Sequence, residues 1–161
     1  FPVGAIAGRA AVLEVMNPLN SPAKFPLYGT FSANPITLTA GSIAMSLFDQ
    51  AAVAKLNSLA EKAREGIAEA IKLADVPACV TGRGSMFRIH LKENAPTSHR
   101  DAFVGPEEQA CVSTLLNHFF DNGLIIVETC TGLLSTPMTQ KEIDYLADVT
   151  LAGLRKIKPM L

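Results

Sequence analysis

Between Gln50 and Ala74 the apolar residues fall at Val53, Leu56, Leu59, Ala60, Ala63, Ile67, Ile71 and Ala74, the three- and four-residue spacing that lines one side of an α-helix. A helix of this kind must lay its apolar side against other elements, and the chain downstream of Ala74 supplies them. From Val76-Pro77 the period changes to two. Ala78–Thr81 and Ser85–Leu91 read as strands about the turn Gly82-Arg83-Gly84, with Phe87, Ile89 and Leu91 on one face of the second strand and Met86, Arg88 and His90 on the other. After the polar stretch 93–105 a helix is expected from Pro106, where Glu107 and Glu108 complement its dipole, to Asn122-Gly123, where glycine takes the left-handed cap. Leu124–Val127 and Leu133–Thr136 read as two further strands. Thr139-Gln140-Lys141-Glu142 is a capping box that opens a last helix with Ile143, Leu146, Thr150 or Leu151, and Leu154 inward, and Pro159 ends it. The order predicts an α+β layer, one small antiparallel-type sheet covered by helices.

The first 48 residues do not close into a unit of their own. Phe1–Gly8 reads as a short strand or the turn into one, Arg9–Met16 as a brief helix, and the segment holding Pro18, Pro22 and Pro26 as an irregular loop. A helix is expected from Pro35 to Phe48. Those pieces cannot cover their own apolar surface. Hydrophobic residues make up 48% of the chain and charged residues 18%, below the ~25% usual in soluble domains, so part of the surface is expected to be covered by a partner subunit or by more of the same protein. A net charge of -1 gives no electrostatic case for nucleic acid or an anionic membrane, and no run reaches the ~18–20 apolar residues of a membrane span. Cys79, Cys111 and Cys130 lack zinc or redox spacing and read as reduced core residues of a cytoplasmic protein. The abrupt apolar start, without methionine or a basic leader, suggests that residue 1 is not a natural beginning.

Chemistry concentrates in Tyr28-Gly29-Thr30-Phe31-Ser32-Ala33-Asn34-Pro35. Asn34 is a favoured N-cap and Pro35 a favoured first helical residue. The opening turn of that helix would present unpaired N–H groups and the positive end of its dipole, which suit a phosphate. Gly29 permits close backbone approach, and the hydroxyls of Thr30 and Ser32 can each donate a hydrogen bond. An ordinary capped helix after a tight turn accounts for the same residues. Elsewhere Gly82-Arg83-Gly84-Ser85 joins two strands and so lacks the helix that a dinucleotide-binding turn requires. His90, His99 and His118 have neither metal spacing nor an evident carboxylate partner, and His99 is expected to be solvated. Arg88 could bind a carboxylate bidentately, or could form an interface or surface ion pair.

Phe1-Pro2-Val3-Gly4-Ala5 with Gly8-Arg9, then Gly29-Thr30-Phe31-Ser32-Ala33-Asn34-Pro35 with Ala40-Gly41, and finally Leu134-Ser135-Thr136-Pro137-Met138-Thr139 together resemble the C-terminal part of class-III pyridoxal-phosphate aminotransferases. The subgroup to which the chain is most similar is that of glutamate-1-semialdehyde 2,1-aminomutase. The resemblance implies an α/β, fold-type-I architecture, with residues 1–48 the end of the large cofactor domain and 49–161 the small C-terminal α+β domain. It implies pyridoxal 5'-phosphate as cofactor and a homodimer in which Thr30, with Gly29 beside it, binds the phosphate held by the neighbouring subunit. The substrate would be a small amino acid or amine. Ala33 stands where many members have glycine. The family's Schiff-base lysine falls upstream of residue 1, so the chain by itself is not expected to be active. A reading from a different class also stands, a non-catalytic module that dimerises or binds a small anion.

Overall fold

The computed structural model describes residues 3–19 and 22–161, which divide into two compact units, Phe1–Asp49 and Gln50–Leu161. In the first unit Val3 to Arg9 is irregular, so of the two readings of Phe1–Gly8, a short strand or the turn into one, the strand does not form among the described residues; Phe1 and Pro2 lie outside them. A strand needs a neighbour to take its backbone donors and acceptors, and no strand lies among the described residues of this unit. Helix α1, Ala10–Leu13, runs into a 3-10 turn at Glu14–Met16, against whose Val15 carbonyl the Phe25 N–H closes at 2.8 Å. Helix α2, Pro35–Leu47, is apolar on several sides, yet none of its residues is buried.

The second unit carries the core. Helix α3 spans Gln50–Ala74 and buries Leu56, Ala60, Ala63, Ile67, Ala70, Ile71 and Ala74, the side that the periodicity marks. Strands β1, Cys79–Thr81, and β2, Met86–His90, pair antiparallel, and β3, Thr131–Leu133, pairs antiparallel with the other edge of β2. Phe87, Ile89 and Leu91 enter the core with Leu115 and Phe119 of helix α4, Pro106–Asp121, and with Leu146, Leu154 and Ile157 of helix α5, Gln140–Ile157. The chain leaves α4 through a glycine cap: Gly123 takes φ +75°, its N–H bonds the Phe120 carbonyl at 2.9 Å, and the Leu124 N–H bonds that of Phe119 at 2.9 Å. The capping box of α5 forms as read, with the Glu142 carboxylate accepting from the Thr139 N–H at 2.7 Å.

Two strand expectations are corrected. Leu124–Val127 forms no strand and makes a single bridge, Val127 to Thr131; Ile125 is 90% exposed, while Leu124 and Ile126 pack against the core edge. The segment expected as a strand over Leu133–Thr136 pairs earlier, at Thr131–Leu133, because the ladder is set by Phe87 opposite Gly132 rather than by the apolar run itself. The resulting fold is a three-stranded antiparallel sheet with helices, preceded by the Phe1–Asp49 unit.

Candidate functional site

The segment Tyr28–Pro35 is a tight turn. The Ser32 N–H bonds the Gly29 carbonyl at 3.0 Å and the Asn34 N–H bonds the Phe31 carbonyl at 3.3 Å. A Cβ at position 29 would stand 2.7 Å from the Ser32 Oγ, so a larger residue there would make that hydroxyl turn away. Ala33 sits at φ +57°, a left-handed conformation that costs an L-residue roughly 1–2 kcal/mol. Glycine at this point would meet no such cost.

Asn34 caps α2 in full. Its Oδ1 accepts from the Ile36 and Thr37 N–H groups, both at 3.1 Å, and its carbonyl accepts from the Leu38 N–H at 2.9 Å; Pro35 has no N–H. The opening turn of α2 therefore offers no free backbone donor, which corrects the expectation that these groups would cradle an anion. A short polar side chain at the cap wins because it is covalently placed to reach them. What remains toward a ligand is the hydroxyl pair of the turn. Thr30 and Ser32 are exposed and line, with Val3, Gly4 and Thr37, a cavity of about 320 Å³.

The other sequence candidates are dispersed. The ring of His118 donates from Nε2 to the Val149 carbonyl at 3.1 Å, tying α4 to α5. His90 is buried, with Nε2 2.9 Å from the Thr81 hydroxyl; burial holds it below its ordinary 6.5, and the charges of Arg88 and Lys92 add in that direction against Glu108. His99 is exposed, in the loop where Asp101 accepts from the Thr97 hydroxyl at 2.8 Å and from the Ser98 N–H at 3.0 Å. Among the described residues no three His, Cys, Asp or Glu side chains converge as metal ligands, and no single helix is long and apolar enough to cross a membrane. For Arg88 the sequence left open carboxylate binding and an interface or surface ion pair; among the described residues it forms no ion pair, and its Nε is buried without an acceptor. A strand position facing away from the core was the available signal, but pairing is a tertiary matter.

The chain matches no family model. It is 28% identical, over 98% of its length, to glutamate-1-semialdehyde 2,1-aminomutase of Opitutus terrae, of which it covers 36%. Its fold superposes on an omega-transaminase from Sphaerobacter thermophilus with a TM-score of 0.84 at 35% identity, covering 92% of this chain and 34% of that one. A transaminase with PLP bound gives a TM-score of 0.79 at 26% identity, covering 95% and 34%. The chain belongs to the class-III pyridoxal-phosphate-dependent aminotransferases, as a C-terminal part. It spans about a third of the length of the curated relatives it matches. The three-stranded antiparallel sheet with its helices agrees with a C-terminal part of that α/β, fold-type-I architecture.

Proposed function

We propose that this chain is the C-terminal portion of an enzyme that transfers an amino group by way of pyridoxal phosphate, either between two substrates or within one as an aminomutase, and that Thr30 holds the cofactor phosphate of the neighbouring subunit in a homodimer. In this reading residues 1–48 complete the large cofactor domain, 49–161 form the small domain, and the catalytic lysine belongs to the part of the family that the chain does not span. The substrate is a small amino acid or amine, and the enzyme works in the cytoplasm.

The observation that carries the reading is the turn itself. Gly29 and Ser32 lock it, Asn34 satisfies the helix donors from within, and the Thr30 hydroxyl is left exposed beside a cavity. Such a hydroxyl donates to a phosphate oxygen while the backbone behind it stays fixed. The apolar side chains of the first unit support the dimer: Phe25, Leu27, Phe31, Ile36 and Leu47 are each more than 60% exposed, a surface that an isolated soluble protein rarely presents. When bound, the cofactor supplies the electron sink for breaking bonds at the amino carbon; this chain's part is to position the phosphate and so the ring.

A hydrogen bond from Thr30 to a charged phosphate is worth about 1.5–3 kcal/mol. Thr30→Val, made in a form of the protein that also carries the lysine, is expected to weaken pyridoxal-phosphate retention by about ten-fold or more while the circular-dichroism spectrum stays unchanged. Unchanged cofactor affinity in that variant overturns the assignment.

A further inference from the structure

We propose that the cleft between β2 and α4 binds a small free carboxylate, gripped by the guanidinium fork of Arg88. This rests on the Gln50–Leu161 unit alone and does not depend on the role given to Thr30.

Arg88 lies in the middle of the sheet, with Thr81 of β1 and Thr131 of β3 as its register partners on either side. Residues directly opposite in an antiparallel ladder share a face, so the row Thr81, Arg88, Thr131 crosses all three strands on the side away from Phe87 and Ile89. Each flanking hydroxyl is held in place, Thr81 by His90 at 2.9 Å and Thr131 by Thr129 at 2.8 Å. Of this row Arg88 lines a cleft of about 400 Å³, to which Leu91, Val104 and Val112 give an apolar wall. That size and mixture suit a ligand on the scale of an amino acid.

The charge balance then asks for an anion. Arginine cannot shed its proton, so a half-buried guanidinium has to be neutralised from outside itself or bear a desolvation cost. Of the carboxylates lining the cleft, Glu108 is already committed to Lys92 at 2.9 Å, and Glu128 stands exposed at the rim without an ion pair among the described residues. No described protein group accepts from the buried Nε. The terminal N–H groups of the planar guanidinium match the two oxygens of a carboxylate.

The test is a titration of the full 161-residue chain with succinate, following the arginine Nε–H resonances by NMR, with Arg88→Lys identifying the signal. Succinate is expected to shift the Arg88 resonance saturably, Arg88→Gln to weaken binding at least ten-fold, and Glu128→Gln to leave it undiminished. Three results overturn the proposal: no shift with succinate; a shift of the Arg88 signal on Glu128→Gln without ligand, which makes Glu128 the counter-ion; or a signal that moves with protein dilution, which makes the anion a carboxylate of a second copy. If Arg88→Gln does not fold, the titration of the unaltered chain together with Glu128→Gln decides among the same outcomes.

Discussion

Ala33 carries the left-handed backbone of the turn before α2. Its φ of +57° is forced by the geometry of the turn, because Ser32 has folded back onto Gly29 while Asn34 must already be extended to cap α2. Glycine would take that conformation without the Cβ penalty, although it loses more freedom on folding. Ala33→Gly is therefore expected to stabilise the turn by up to about 1 kcal/mol net, read as a higher midpoint in urea unfolding of the chain. An unchanged or lower midpoint would mean that the turn relaxes around alanine at no cost. The same scale explains the fate of the anion cradle. Asn34 was legible as a cap, and a cap is by its nature a competitor for the donors that a phosphate would use. The sequence names both roles; the 3.1 Å distances to the Ile36 and Thr37 N–H groups choose one.

At the scale of elements, those with strong internal signals came out where the pattern puts them. Helix α3 is specified by eight apolar positions on one side, and α5 by its capping box and an inward row at Ile143, Leu146, Thr150 and Leu154. In the Thr139–Glu142 box the Thr139 hydroxyl accepts from the Lys141 N–H at 3.3 Å and the Glu142 carboxylate accepts from the Thr139 N–H at 2.7 Å; the hydrogen bonds from Thr139, that of its side chain first, hold the Glu142 carboxyl below its usual range. Thr139→Ala is expected to cost about 1 kcal/mol of stability, seen as a lower urea midpoint with an unchanged slope; a neutral result would assign the helix start to Pro137 and packing instead. The short strands were less legible. Three residues of β3 carry too little periodicity to locate their register, and the register depends on Phe87 lying over Gly132, a contact between residues distant in sequence.

For the whole molecule, the two units differ in how they are held. Every buried apolar residue among those described lies in Gln50–Leu161, and none lies in the first unit. Stability of the second unit should accordingly report on groups inside that core as pH changes. Burial pushes the Cys130 thiol up from its ordinary 9.0 to about 11, partly opposed by Arg88. A raised thiol favours the protonated form in the folded state, so its contribution is fully present below pH 9 and is lost as pH rises from there to about 11. His90 runs the other way: its folded value lies below 6.5, so its contribution is present above pH 6.5 and is lost as pH falls toward the lowered value. Unfolding midpoints measured across pH should show both shoulders, with the alkaline one reduced in Cys130→Ala, since burial also raises the Cys79 thiol; a midpoint flat between pH 9 and 11 in the unaltered chain would show the Cys130 thiol to be solvated.

The sequence by itself determined the helices, the order of layers and the family, because periodicity, caps and the Gly-Thr-Phe-Ser-x-Asn-Pro motif are local and survive any rearrangement of the rest. It determined that Phe1–Asp49 is apolar beyond its own means of burial. Only the tertiary structure decided where donors and charges are spent. The N–H groups of α2 go to Asn34, His118 goes to a carbonyl on α5, and Arg88 is left facing a cleft with its Nε unpartnered. The physical reason is the same in each case: a hydrogen bond or an ion pair depends on angstrom-scale placement between residues far apart in the chain, and that placement is fixed by packing and not by local pattern.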